Sequence, residues 1–156
     1  MLVDTATFLP CSPQQAIERV KSPDLLCYVA APLVTFTPVA PPEFPSTWEE
    51  GTYWVSLKLF GVLPLGRQAV VVSYPETSDG FSMRDNGYSA MIKRWEHSIT
   101  IKASGDGTLY RDRIRVEAGV LTAVVWVFVH IFFAHRQRRW RRLVARGFDQ
   151  GTVSSR

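Results

Sequence analysis

Apolar and polar residues alternate along much of this chain, and the alternation places most of its elements. Leu2 to Leu9 reads as a first strand, stopped by Pro10. SPQQAIERV follows, with Ser12 as an N-cap, Pro13 at the first helical position and Gln15 three residues after the cap. Ser22 and Pro23 repeat that start, so two short helices are expected between Ser12 and about Ala31. Pro38, Pro41, Pro42 and Pro45 then mark a stiff loop. TYWVSLKLF returns to period two, with Tyr53, Val55, Leu57 and Leu59 on one face. RQAVVVSYP and FSMRDNG read as further strands, and Asn86-Gly87 as a hairpin turn signal.

Two longer strands, about Ser89–Ala103 and Thr108–Glu117, flank SGDG. A turn centred on Gly105-Asp106 pairs Lys102 with Leu109, Glu96 with Arg115 and Arg94 with Glu117. The last two are opposite charges on one face. Trp95, His97, Ile99 and Ile101 then share the other face with Val116, Ile114, Asp112 and Tyr110. One register satisfies both faces.

The end of the chain breaks the pattern. Residues 118–134 read AGVLTAVVWVFVHIFFA, without a formal charge, and then turn abruptly into HRQRRWRRLVAR. As a helix the apolar stretch would be about 26 Å long, short of the ~30 Å hydrocarbon core of a bilayer. His130 interrupts it, and the preceding strands need a cover for their apolar face. A helix from Gly119 to about Ala145 that closes the sheet is therefore preferred to a membrane anchor. The alternative, a membrane-anchored interaction protein held by residues 118–134, stays open. Surplus apolar surface at Val120, Val127 and Ile131 suggests a homodimer interface or peripheral membrane contact.

The expected architecture is thus α+β: a curved antiparallel sheet gripping a long C-terminal helix, with two short helices after the first strand. Residues 1–146 form one domain and 147–156 a flexible tail. A chain of 156 residues suits one such core. Its net charge of +4 is unevenly spread: 8 basic against 11 acidic residues through Tyr110, then 10 against 3. Any anionic partner would meet the C-terminal quarter. Cys11 and Cys27 have no CxxC or zinc-type spacing, and the N-terminus lacks the basic and apolar regions of a signal peptide. A cytoplasmic, membrane-peripheral setting is expected, with no metal and no cofactor.

SPQQAIERVKSPDLLCYV, WEHSI, LYRDRIRVEAG and IFFAHRQRRWRRL, in this order and at this length, resemble the SRPBCC superfamily, the START-like or Bet v 1-like helix-grip fold. Within it the chain is similar to bacterial polyketide cyclase/dehydrase-like members. The resemblance implies a cavity between sheet and helix for a hydrophobic or amphipathic ligand: lipid, isoprenoid or polyketide-like.

His97 and Asp112 are the catalytic candidates, facing the interior as diagonal neighbours within side-chain reach. A His fixed by an Asp can move a proton at an enolisable ligand, which makes a cyclase- or dehydratase-type enzyme the alternative to a binding protein. The plainer reading is a buried His satisfied by a buried Asp. Candidate ligand contacts are Tyr53, Trp95, Ile99, Ile101, Tyr110, Ile114, Val116 and Phe128, with Arg84 at the cavity mouth for a polar head. Arg136, Arg138, Arg139, Arg141 and Arg142, with Trp140 among them, are candidates for contact with an anionic surface. No nucleic-acid motif accompanies them, and nucleic acid is not an expected partner.

Overall fold

The computed structural model describes residues 1–149. Strand β1 (Leu2–Leu9) leads into helices α1 (Pro13–Val20) and α2 (Pro23–Ala30). Strands β2 (Val34–Ala40), β3 (Gly51–Leu59), β4 (Leu63–Ser73), β5 (Phe81–Ser89), β6 (Arg94–Ser104) and β7 (Gly107–Glu117) follow, then the long helix α3 (Thr122–Ala145). The caps are those expected of the sequence. Ser12 Oγ accepts from Gln15 N at 3.2 Å while Gln15 Oε1 accepts from Ser12 N at 3.1 Å, a capping box. Ser22 Oγ accepts from Asp24 N at 3.2 Å.

All seven strands form one antiparallel sheet in the order β1-β7-β6-β5-β4-β3-β2. The β6–β7 register agrees with the charge pairing: Lys102 opposes Leu109, Glu96 opposes Arg115 and Arg94 opposes Glu117. Three elements differ from expectation, one of them β6, which begins at Arg94 rather than at about Ser89 because Ser89 ends β5. The proline-rich segment includes strand β2, where Pro38 opposes Val55. β2 is a sheet edge, and a missing N–H is tolerated there. Asn86-Gly87 is not a turn but lies inside β5, with Gly87 opposite Trp95. Gly87 is required because a Cβ would sit 2.4 Å from the Ala69 carbonyl oxygen of β4. The chain instead turns just beyond it, where Ser89 N donates to Ile92 O and Ile92 N donates to Ser89 Oγ.

Helix α3 crosses β1, β7 and α2, burying Val129, Phe132, Phe133, Trp140, Leu143 and Val144. It is a closing helix packed on the sheet. Its end extends the domain beyond residue 146. Gly147, at φ 63°, donates to Val144 O, and Phe148 N donates to Leu143 O, a Schellman cap. The Phe148 ring packs 6.0 Å from Trp140 and under the Arg19 guanidinium. Residues 147 and 148 thus belong to the packed domain rather than to a flexible tail. The rest of that expected tail, residues 150–156, lies outside the described residues.

Because α3 covers the β1–β7 side, the concave face of β3, β4 and β5 has little helix above it. The mismatch leaves a cavity.

Candidate functional site

The cavity has two adjoining parts. The inner part, about 110 Å³, lies between the sheet and all three helices, bordered by Leu25 and Leu26 of α2, Phe132 and Arg136 of α3, and Trp95, His97 and Ile99 of β6. The outer part, about 260 Å³, is bordered by Leu59, Ile92, Val124, Val125 and Phe128. Leu57, Leu65 and Gln68 line both. The walls are mostly apolar; Asp85, His97 and Arg136 gather at the inner end, and Arg67 and Ser89 border the outer part. The inner end lies about 15 Å along α3 from Val125–Phe128.

Strand alternation places this polar cluster. Asp85 on β5 directly opposes His97 on β6, so both face inward. His97 opposes Ile114 and Ile99 opposes Asp112, so Asp112 is diagonal to His97. The His97 Nε2 lies 2.8 Å from Asp112 Oδ1. Tyr110 Oη donates to the same Asp112 oxygen at 2.9 Å, and Gln137 Nε2 donates to Asp112 Oδ2 at 3.3 Å. Gln137 also donates to Thr5, tying α3 to β1.

Burial dominates the protonation states. It pushes the His97 imidazole below its ordinary range, more than the Asp112 bond raises it. Burial also works against the Asp112 carboxylate, but the bonds from His97 and Tyr110 and the nearby Arg136 charge outweigh it and hold Asp112 low. The pair is therefore a neutral His97 donating Nε2–H to an ionised Asp112, and not an ion pair. Tyr110 is pushed well above its usual range, first by burial and then by the Asp112 charge. Asp85 differs. Desolvation raises its carboxyl to about 7, against the bond from Val71 N at 2.8 Å and the Arg136 charge.

Arg136 completes the cluster. It is 9% exposed, and its guanidinium lies 4.7 Å from the Phe133 ring centroid. Its Nε is buried without a hydrogen-bond partner among the described residues. A buried donor of this kind ordinarily has a partner.

A family profile described as "Domain of unknown function (DUF8410)" matches residues 9–144. The chain belongs to the DUF8410 family. No curated protein matches it in sequence. Solved structures resemble the DUF8410 domain in fold. A START superfamily protein from Mycobacterium smegmatis superposes with a TM-score of 0.65 at 14% identity, covering 93% of this chain and 97% of that one. A protein from Thermus thermophilus gives a TM-score of 0.67 at 12% identity, covering 96% and 100%. The Aha1 dimer from Colwellia psychrerythraea gives 0.61 at 11% identity, covering 92% and 96%. The resemblance to the START-like, helix-grip superfamily thus holds at the level of fold.

Within the DUF8410 domain the expected site residues separate into groups. Trp95, His97, Ile99, Tyr110 and Phe128 border the cavity. Asp112 bonds to His97 but is 1% exposed and stands behind the inner cavity wall. Ile101, Ile114 and Val116 are fully buried core residues and border neither part, because α1 and α3 cover that side of the sheet. Tyr53 packs edge-on against Trp48, which borders the inner cavity, and bonds to Glu49, so it stands behind the wall and does not line it. Arg84 alternates with the inward Asp85 and therefore faces the outer side of the sheet, not the cavity mouth.

The arginine-rich end also divides. Arg136 and Trp140 are internal and unavailable to a surface, since they share the buried stripe of α3 with Phe133 and Leu143. Arg139 donates to Tyr28 O and sits 4.3 Å from that ring, and Arg141 donates to Thr7 Oγ1. Arg138, Arg141 and Arg142 remain exposed. His130 is exposed beside Trp126.

Sequence reading missed Gln68, Asp85 and Arg136 as cavity residues. A signal existed for two of them. Asp85 follows Phe81 and Met83 at period two, and Arg136 falls in the stripe Val129, Phe132, Phe133, Trp140.

Proposed function

We propose that this domain binds an amphipathic small molecule in the cavity. The apolar body lies against Leu57, Trp95, Ile99, Phe128 and Phe132, and the polar head meets Arg136, Asp85 and His97. The observation that carries this reading is the convergence of Arg136, Asp85 and His97 at one end of a mostly apolar cavity. The polar head of a ligand would meet these groups there. Native mass spectrometry of protein purified without detergent tests the reading. A copurified amphiphile supports it. Apo protein alone, together with no uptake of a fluorescent fatty acid, contradicts it.

One observation favours a second reading, acid–base turnover of an enolisable ligand. Asp85, with a carboxyl raised to about 7, faces His97 at the cavity, and a pKa near neutrality suits a group that both takes and returns a proton. In this reading Asp85 and His97 touch the ligand and Asp112 fixes the His97 tautomer. Deuterium incorporation from D2O into the methyl group of 2-acetonaphthone, lost in Asp85→Asn, would support it. Exchange no faster than in buffer would contradict it.

A further inference from the structure

The mouth of the outer cavity is surrounded by solvent-exposed apolar side chains from separate elements. The β3–β4 turn contributes Phe60, Val62 and Leu63, the β5–β6 turn contributes Met91, the 3-10 turn Gly119–Leu121 before α3 contributes Val120, and the start of α3 contributes Val124. Val62 is 79% exposed and Val120 99% exposed. The elements meet around one opening, since Leu59, Met91 and Val124 border the same outer cavity. On α3 the apolar surface continues as a stripe through Val127 and Ile131, at helical spacing.

Monomeric soluble proteins rarely expose contiguous apolar patches of this kind without a partner. The β3–β4 turn adds a backbone cost: Phe60 holds φ at 50°, left-handed and unfavourable for an aromatic, while its ring stays 59% exposed. Neither packing nor backbone preference accounts for an exposed Phe there.

Charge identifies the occupant. The segment LFGVLPLG, residues 59–66, has no charged residue and is bracketed by Lys58 and Arg67. Lys93 follows Met91 at the β5–β6 turn. None of these three cations forms a salt bridge among the described residues. Uncharged tips flanked by free cations match the layering of an anionic bilayer, with acyl chains beneath negative headgroups. A self-pairing copy would instead gather two sets of these cations at one interface.

We infer that this rim docks on an anionic lipid bilayer and inserts the β3–β4 turn and the start of α3, opening the cavity mouth toward the membrane. The docking face is then the apolar end of α3, and not its arginine-rich end. That docking delivers a ligand rests on the ligand-binding reading above; the docking itself does not.

Flotation of the purified full chain with vesicles of phosphatidylcholine and phosphatidylglycerol tests this, at low and high salt. The wild type is expected to float and to stay bound in part at high salt, because inserted apolar contacts are not screened. Val62→Asp with Leu63→Asp should lower the bound fraction about tenfold, with circular dichroism and melting unchanged, a large loss for so few inserted side chains. Arg138→Gln with Arg142→Gln should float like the wild type. Failure of the wild type to float, or equal flotation of the Val62/Leu63 variant, would overturn the inference. So would a wild-type dimer in light scattering that Val62→Asp with Leu63→Asp converts to monomer, since a second copy would then cover the rim. Ile99→Trp separates the two readings: it should float normally while losing fatty-acid uptake. Flotation without uptake in the wild type would remove the ligand reading alone, and uptake without flotation would remove the docking.

Discussion

Asp85 and His97 stand directly opposite each other across the β5–β6 ladder, and His97 is held from behind by Asp112 at 2.8 Å. Two inward carboxyls thus flank one imidazole, with opposite shifts. Asp112, which accepts bonds from His97, Tyr110 and Gln137, is held low; Asp85 is raised by desolvation to about 7 against hydrogen bonds from Val71 and Trp95.

The raised carboxyl gives stability a definite pH dependence. Asp85 binds its proton more tightly folded than unfolded, so its contribution is full below the unfolded value of 3.8 and is lost as pH rises through about 7. His97 is depressed, so its contribution is present above 6.5 and falls as pH drops. Asp85→Asn stays neutral throughout, while His97 is common to both proteins. The melting temperature of Asp85→Asn relative to wild type should therefore rise from pH 4 to pH 8, by the equivalent of at most about 4 kcal/mol. A pH-independent difference would contradict the assignment.

Asp112 is a structural hub whatever the ligand does. Asp112→Ala removes the acceptor of His97 Nε2, Tyr110 Oη and Gln137 Nε2 together. Each donor left without a partner costs about 1–3 kcal/mol, and Gln137 keeps its bonds to Thr5. Urea denaturation should show a loss in that range or above, while Asp112→Asn should recover part of it.

How far the sequence showed this arrangement depends on which face a residue occupies. The β6–β7 register was legible because Arg94–Glu117 and Glu96–Arg115 pair only when Trp95, His97 and Asp112 share the inner face. The caps were legible because Ser12, Gln15 and Ser22 act on their own neighbours. The cavity was only half legible. Its far wall depends on long-range pairing of β3, β4 and β5, and Gln68, Asp85 and Arg136 are polar residues at inward positions, which a hydrophobic pattern assigns to solvent. Strand β2 was hidden by Pro38, acceptable only because β2 is an edge. Ile101, Ile114 and Val116 were correctly inward, but which inward residues border space depends on where α1 and α3 cross the sheet.

Arg136 should decide between amphipathic and purely apolar ligands. Arg136→Met keeps an unbranched stem against Phe133 and removes the cation. A fluorescent fatty acid should bind about tenfold or more weakly, the equivalent of one charge-assisted hydrogen bond at about 1.5–3 kcal/mol. A neutral hydrophobic dye should bind nearly as before. Equal loss for both probes would place the polar head elsewhere.

The most direct measurement of the central claim is a titration of a fluorescent fatty acid into wild type and Ile99→Trp. Ile99 borders the inner cavity from β6, and an indole there would intrude into the space a ligand needs. Saturable binding in the wild type, abolished in an Ile99→Trp variant that melts cooperatively, is the expected result. Unchanged affinity in that folded variant would contradict a ligand cavity between the sheet and the C-terminal helix.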